Sequence, residues 1–155
     1  MAGQIDARLA ELGIEIPEAA APVANYVGYV ITGKQVFVSG QVTLKDGEFH
    51  YQGKLGDTIS VEDGQAAARL CAINVIAQLK AACGGDLDRV KRIVKLGGFV
   101  NSTPDFTQQP QVINGASDLM VEVFGDKGKH ARAAVSAGAL PVGVAVEVDA
   151  VAEIE

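Results

Sequence analysis

The sequence predicts an α+β fold in which two helices pack on one face of a β-sheet. Residues 26–41 are rich in Val, Ile and Tyr around a glycine turn, which is typical of a β-hairpin. Residues 60–83 combine alanines with apolar side chains at helical spacing. Residues 144–151 alternate with period two, as in a strand whose two faces differ. The resulting order of hairpin, helix, strand, helix and two strands predicts helices on one side of a sheet.

The N-terminal third is predicted to hold a helix, a linker and the hairpin. Residues 4–13 show the apolar spacing of a short amphipathic helix. Residues 18–23 are small and include a proline, which predicts a linker or an extended arm. Strands are expected at 26–33 and 36–41, joined by a glycine turn, and residues 49–52 are expected to add a short strand.

The clearest predicted helix follows Ser60. Serine is a favourable N-cap, and Asp63 three residues later makes this start similar to a capping box. Apolar residues then recur at helical spacing for about six turns. Gly84 and Gly85 are expected to end the helix.

The next segment predicts a strand and a second helix. Residues 90–100 contain the Ile, Val and Phe that favour a strand, although Lys and Arg interrupt them. The pair Gly97-Gly98 predicts a bulge or a close contact with another backbone. Thr103 or Asp105 is expected to cap a helix that runs to about Phe124.

One face of the predicted sheet has no cover. With both helices on one side, the other face of a sheet rich in Val, Ala and Gly is exposed in a monomer. Large apolar surfaces usually mark interaction sites, so we expect the chain to oligomerise through this face. The 155 residues suit a single domain over residues 1–155.

Composition and charge exclude several classes of function. The net charge of −6 disfavours broad binding to nucleic acids or anionic membranes, and 5% aromatic residues leave few side chains to stack on bases. Cys71 and Cys83 are too few for a disulfide framework or a four-ligand metal site, and indicate reduced thiols. The sequence shows no signal peptide or membrane-spanning segment, so we expect a cytoplasmic location.

Arg132 is the strongest candidate for a binding residue. Its neighbours Ala131, Ala133 and Ala134 are small and leave room beside a long cation. A guanidinium donates two parallel hydrogen bonds that fit a carboxylate. The alternative is a surface arginine paired with a nearby acid, which composition alone favours.

Glu147 is the second candidate, because it stands as an acid between two valines of the last strand. A solvent-facing position on an amphipathic strand explains it equally well. Tyr26 and Ser39 lie at the ends of the hairpin strands, where such residues are more often structural than catalytic. The P-loop, dinucleotide-binding, zinc-protease and nucleophile-elbow motifs are absent from the sequence, and two histidines are too few for most metal sites.

Four short stretches together carry a family resemblance. They are Ser39-Gly40-Gln41 after the hairpin, residues 93–100 followed by Asp105-Phe106, Ala131-Arg132 with Leu140-Pro141, and residues 146–151. In this order and at this spacing the chain resembles the Rid/YjgF family, the reactive-intermediate enamine/imine deaminases formerly labelled L-PSP endoribonucleases. Residues 1–22, which the resemblance implies are an N-terminal extension, and residues 42–58 resemble an extension found in a longer, less characterised branch of that family.

The resemblance implies a chorismate-mutase-like α+β fold and a homotrimer whose sheets line a barrel, with ligand sites in clefts between subunits. It implies that Arg132 holds the carboxylate of a 2-aminoacrylate or of a 2-imino acid such as 2-iminobutanoate or 2-iminopropanoate. Glu147 would orient the attacking water, and the products would be a 2-keto acid and ammonia. No metal or organic cofactor is expected. The substrate-binding positions that the resemblance implies are Tyr26, Ser39, Gly40, Asn114 and Ala134.

The sequence departs from the best-studied branch of the family close to these positions. Ala134 stands where a cysteine is usual, Asn25 stands where a proline precedes the hairpin tyrosine, and Lys129-His130 replaces Phe-Pro. The substrate is therefore left open. The alternatives are a non-catalytic protein that binds a small carboxylate metabolite in the same cleft, and a ribonuclease or translation inhibitor, which the acidic pI disfavours.

Overall fold

The computed structural model describes residues 3–22 and 24–155, and within them the chain forms three α-helices and seven β-strands. Residue 23, at the end of the predicted linker, lies outside the described residues. In chain order the elements are α1 (Gln4–Glu11), β1 (Tyr29–Thr32), β2 (Gln35–Gln41), β3 (Leu44–Lys45), β4 (Glu48–Phe49), α2 (Val61–Ala82), β5 (Val90–Asn101), α3 (Gln109–Phe124), β6 (Ala131–Ala137) and β7 (Val146–Ile154). Single turns of 3₁₀ helix lie at Leu87–Arg89, Gly125–Gly128 and Pro141–Gly143.

Five strands form the main sheet in the order β1-β2-β7-β5-β6, while β3 and β4 make a separate two-stranded hairpin. The neighbours in the main sheet are antiparallel except for β5 and β6, which are parallel. A parallel pair needs a crossover between its strands, and α3 supplies it. The predicted α+β arrangement and its element order are confirmed.

The helices cover one face of this sheet. Along β7, every second residue from Val146 to Ile154 is buried, and the residues between them are only partly buried. Aliphatic side chains of α2, α3, β5 and β7 form one continuous core, which fits a chain with few aromatic residues. Of the two faces, we call the one under α2 and α3 the helix face and the other the open face.

Close packing of α2 on α3 depends on Gly115. A Cβ atom built at this position would overlap the backbone carbonyl of Gln65 on α2, so a glycine lets the two helices approach. The start of α2 is as predicted, because the Ser60 hydroxyl accepts a hydrogen bond from the backbone N–H of Asp63 at 3.1 Å.

Two local predictions were wrong. Helix α3 begins at Gln109, with Pro110 in its first turn, and neither Thr103 nor Asp105 caps it. Instead, the Thr103 hydroxyl donates to the Asp105 carboxylate at 2.7 Å in the preceding turn, which uses both side chains locally.

The second wrong prediction concerns the glycine pair of β5. The irregularities in its pairing with β7 lie nearer the start of the strand, between Val90 and Lys95. Gly98 instead leaves space for the Ile113 side chain of α3, and Gly97 for the carboxylate of Asp149. The two glycines therefore make room for side chains and not for another backbone. On the helix face, the space at Gly98 lets α3 lie directly on the sheet.

The N-terminal segment is attached by a remote cap. The carboxylate of Asp88 accepts hydrogen bonds from the backbone N–H groups of Gln4 and Ile5, each at 2.9 Å. These bonds lower the pKa of Asp88, the bond from Ile5 having the larger effect. Leu9 is buried in the core, and Arg8 donates to the carbonyl of Glu122 at 2.8 Å, so α1 packs on α3.

Candidate functional site

Arg132 lies on the edge strand β6 with its side chain on the helix face. Its register partner on β5 is Leu96, which is fully buried beneath the helices. One guanidinium nitrogen, Nη1, donates to Oδ1 of Asn114 at 2.8 Å and to Oγ of Ser117 at 3.2 Å. Both acceptors are uncharged, so they orient the guanidinium without neutralising it.

No acidic side chain pairs with Arg132 within the part of the chain that the structure describes. The ion pairs there, at 4.0 Å or less, join Arg8 to Glu11, Arg69 to Glu122, Lys91 to Glu153 and Lys129 to Asp126. The surface ion pair that composition favours for Arg132 is therefore not formed. Its other N–H groups are available to an external anion.

The position of Asn114 and Ser117 follows from helix geometry. Residues three apart on a helix share a face, and the crossover from β5 to β6 lays that face of α3 beside Arg132. The structure thus brings together Arg132 and Asn114, two of the residues that the sequence singles out. Ala134 lies two residues further along β6, on the same face, and packs partly against the core.

Ser117 and His130 belong to this site, and sequence reasoning missed both. The Ser117 hydroxyl lies 2.8 Å from Nε2 of His130, and Nδ1 of His130 lies 2.6 Å from the carbonyl oxygen of Gly128. A signal was present, because His130, Arg132 and Ala134 share strand periodicity and Ser117 follows Asn114 by three residues.

Glu147 lies on the open face of the central strand β7. Its register partner is Phe99 of β5, and its carboxylate is next to Gly40 of β2, where an added Cβ atom would overlap it. Partial burial raises the pKa of Glu147, and the nearby Asp149 carboxylate raises it further. Glu147 and Gly40 are therefore in contact, as a second pair of predicted site residues.

Ser39 and Tyr26 lie at the end of the hairpin that leads to Gly40. The Ser39 hydroxyl donates to the carbonyl of Val27 at 2.6 Å, and its backbone N–H donates to the carbonyl of Gly28 at 2.9 Å. Both bonds hold the segment before β1 against β2. The Tyr26 side chain is exposed.

Five of the seven predicted site residues therefore form two groups on opposite faces of the sheet. Arg132, Asn114 and Ala134 are on the helix face, whereas Glu147 and Gly40 are on the open face. One protomer does not bring Arg132 and Glu147 together.

Comparisons with known proteins identify the family that has this architecture. A family model described as "YjgF/chorismate_mutase-like, putative endoribonuclease" matches residues 6–154. The chain belongs to the YjgF/chorismate mutase-like family. The match begins within α1.

Three relatives illustrate the breadth of this YjgF-like family. Protein TCP17 of Trypanosoma cruzi is 55% identical over 98% of this chain and 95% of its own length. The crystal structure of protein Atu1372 from Agrobacterium tumefaciens is 47% identical, with a TM-score of 0.92 over 97% of this chain and 92% of that one. Escherichia coli TdcF with bound serine is 26% identical, with a TM-score of 0.64 over 89% of this chain and 94% of that one.

Other features of this YjgF-like chain lie away from the two groups. A groove of about 760 Å³ runs between residues 12–20, the β3–β4 turn and α2, and contains none of the predicted site residues. Cys71 is fully buried, and burial raises the pKa of its thiol well above the ordinary value, as expected for a core residue. Among residues 3–22 and 24–155, no three potential metal ligands cluster, and no helix is long and apolar enough to cross a membrane.

Proposed function

We propose that this YjgF-family protein hydrolyses reactive 2-imino and 2-aminoacrylate acids to 2-keto acids and ammonia. The observation that supports this most strongly is the guanidinium of Arg132, which neutral Asn114 and Ser117 orient and no acid neutralises. A partly buried cation in this state favours a small anion, and its free N–H groups suit the two oxygens of a carboxylate.

The proposed assembly is a homotrimer, as is typical of the family. Val30, Phe37 and Val135 are exposed apolar side chains on the open face, which a neighbouring protomer would cover. Because Arg132 and Glu147 lie on opposite faces of one sheet, a shared cleft requires Arg132 of one protomer and Glu147 of the next. The proposed reaction centre is therefore between subunits.

The proposed chemistry needs little from the protein. The enamine tautomerises to an imine, and water adds its oxygen to the carbon of the C=N bond while the water proton reaches the nitrogen. The C–N bond of this carbinolamine then breaks as its hydroxyl becomes the C=O group, and the hydroxyl proton leaves with the nitrogen as ammonia. Arg132 holds the carboxylate, which fixes the imine carbon in position. Glu147 orients the water, accepts its proton and passes that proton to the nitrogen that leaves as ammonia. The raised pKa of this carboxyl group moves it toward the range in which an acid–base residue works at neutral pH.

Three observations bear on the choice between a deaminase, a binding protein and a nuclease. The TdcF structure contains serine, a small molecule with the α-carboxylate that Arg132 is proposed to hold. A binding protein without catalysis is the second candidate, because Arg132 and Asn114 meet within one protomer and need no contribution from Glu147. The net charge of −6 disfavours the nuclease that the family description names.

The test is a coupled assay in which a PLP-dependent dehydratase makes 2-aminoacrylate from serine and pyruvate is followed. We expect the wild-type protein to accelerate pyruvate release, and Arg132→Ala to lower that acceleration by about 100-fold or more, because orientation of the substrate is lost. Arg132→Lys retains the positive charge but lacks the two parallel N–H donors of the guanidinium, so its acceleration of pyruvate release is expected to be intermediate. Arg92→Ala, at an exposed arginine of β5, is the control.

Two outcomes would replace the proposal. Pyruvate that binds the wild-type protein, without any acceleration for any imino acid, would show the binding protein. RNA cleavage that survives extensive purification and is lost in Arg132→Ala would show the nuclease.

A further inference from the structure

We propose that Ser117 and His130 are positioning residues for Arg132, and that they act as a directional hydrogen-bond relay from the guanidinium to the backbone carbonyl of Gly128. The proposal rests on the proposed function, since it concerns how the carboxylate-binding arginine is held. It concerns two side chains that the reaction itself does not use.

The direction of the relay follows from its two ends. The Gly128 carbonyl oxygen can only accept a hydrogen bond. Nδ1 of His130, 2.6 Å away, therefore carries a proton and donates the hydrogen bond. At the other end, Nη1 of Arg132 can only donate, so the Ser117 oxygen accepts at 3.2 Å. A neutral imidazole carries one N–H group. With that proton on Nδ1, Nε2 is unprotonated and accepts a hydrogen bond.

The middle bond completes the chain. Ser117 Oγ and His130 Nε2 are 2.8 Å apart. The serine hydroxyl therefore donates a hydrogen bond to Nε2, while a lone pair of its oxygen faces Arg132. The hydroxyl is thereby fixed as an acceptor.

The relay determines where the free edge of Arg132 points. Asn114 and Ser117 both bind Nη1, so the guanidinium is held at one corner from two directions. Two fixed contacts on a planar group restrict its rotation. Without Ser117 as an acceptor, Asn114 alone would hold the group, and the guanidinium could turn about that bond.

Sequence and fold support the same assignment. His130 lies two residues before Arg132, and the turn Gly125–Gly128 sets its ring beside α3. Gly128 packs against the backbone of Met120, where an added Cβ atom would overlap the carbonyl oxygen. The carbonyl that ends the relay is therefore held by the core.

The first test measures binding of pyruvate by calorimetry and turnover in the coupled assay. We expect Ser117→Ala and His130→Leu to weaken pyruvate binding and raise KM by about tenfold, the size of one charge-assisted hydrogen bond, with kcat changed less than about threefold. Ser117→Thr keeps the hydroxyl and His130→Gln keeps an acceptor near the Nε2 position, so both should restore most of the affinity. Ser136→Ala is the control and should bind pyruvate as the wild type does. It removes a comparable hydroxyl from β6, the strand of Arg132, where Ser136 bonds Ser102 at 2.6 Å.

The second test observes the ring directly in the wild-type protein. A long-range ¹H–¹⁵N spectrum should show His130 with a protonated Nδ1 and an unprotonated Nε2. A proton on Nε2 would overturn the relay, whatever the binding data show.

The outcomes separate this inference from the proposed function. If Arg132→Ala loses binding while Ser117→Ala and His130→Leu bind pyruvate like Ser136→Ala, the relay is refuted and the proposed function stands. If Arg132→Ala binds pyruvate like the wild type, the proposed function and the positioning role fail together. Loss of binding in all three variants, with rescue by Ser117→Thr, supports both.

Discussion

Glu147 is the residue at which stability and the proposed chemistry oppose each other. Its carboxylate is partly buried on the open face, next to Gly40 and near the carboxylate of Asp149. Desolvation, together with this like charge, raises its pKa above the ordinary value. The folded protein thus binds the proton of Glu147 more tightly than the unfolded chain does.

Glu147→Gln is expected to stabilise the folded protein at neutral pH and to lower its activity by about 100-fold or more, the usual contribution of an acid–base group. A raised folded pKa gives stability that is fully present below the unfolded value of 4.5 and is lost as the pH rises through the folded value. The gain in free energy of unfolding should therefore be present at pH 7 and absent near pH 4, as measured by denaturant titration. Glu153→Gln, which removes the partner of Lys91, is the control and should give no such gain.

At the scale of elements, the α2–α3 contact and the crossover from β5 to β6 determine the site. Glycines at the contacts, Gly115 between the helices and Gly98 beneath Ile113, let α3 lie close to both α2 and the sheet. This closeness brings Asn114 and Ser117 to Arg132. The packing of α3 therefore affects both the stability of the core and the geometry of the guanidinium.

Gly115→Ala tests that contact. Alanine is the better helix former by about 1 kcal/mol, but its Cβ atom would overlap the carbonyl of Gln65, so we expect a net loss of about 1–3 kcal/mol in the free energy of unfolding. Chemical denaturation measures it. Gly138→Ala is the matched control, because open space surrounds that glycine, and it should be neutral. A Gly115→Ala protein as stable as the control would contradict this account of the helix contact.

At the scale of the whole molecule, the open face is the feature without a cover. Phe37 is 45% exposed there, and its register partners are Val30 on β1 and Val151 on β7. The helix face is by contrast buried along the whole of β7. In the proposed trimer, a neighbouring protomer would both cover this apolar face and bring Glu147 to the Arg132 of the next subunit.

Phe37→Lys is expected to weaken the proposed trimer by about 100-fold or more, because a lysine ammonium would be buried without a partner. Analytical ultracentrifugation should show monomers, and turnover should fall although Arg132 is intact. Phe49→Lys is the matched control, because Phe49 is 41% exposed but lies on the separate β3–β4 hairpin. A wild-type protein that sediments as a monomer would refute the shared cleft.

Local patterns were sufficient for much of the fold and for part of the site. The Ser60 cap and the alternation of β7 act between near neighbours in the chain, so their predictions hold. The start of α3 was predicted wrongly because Thr103 and Asp105 can cap a helix or bond each other, and local sequence does not choose between them. Ser117 and His130 were missed because neither belongs to a recognised motif.

The amino-acid sequence alone determined the α+β order of elements, the acidic and aromatic-poor composition, and Arg132 as a cation among small neighbours. Only the tertiary structure decided that Arg132 has neutral partners and that Glu147 lies on the opposite face. The physical reason is the distance along the chain between the residues that interact. Helix caps and strand alternation depend on adjacent residues, whereas strand register and the position of α3 depend on burying side chains that are distant in the chain.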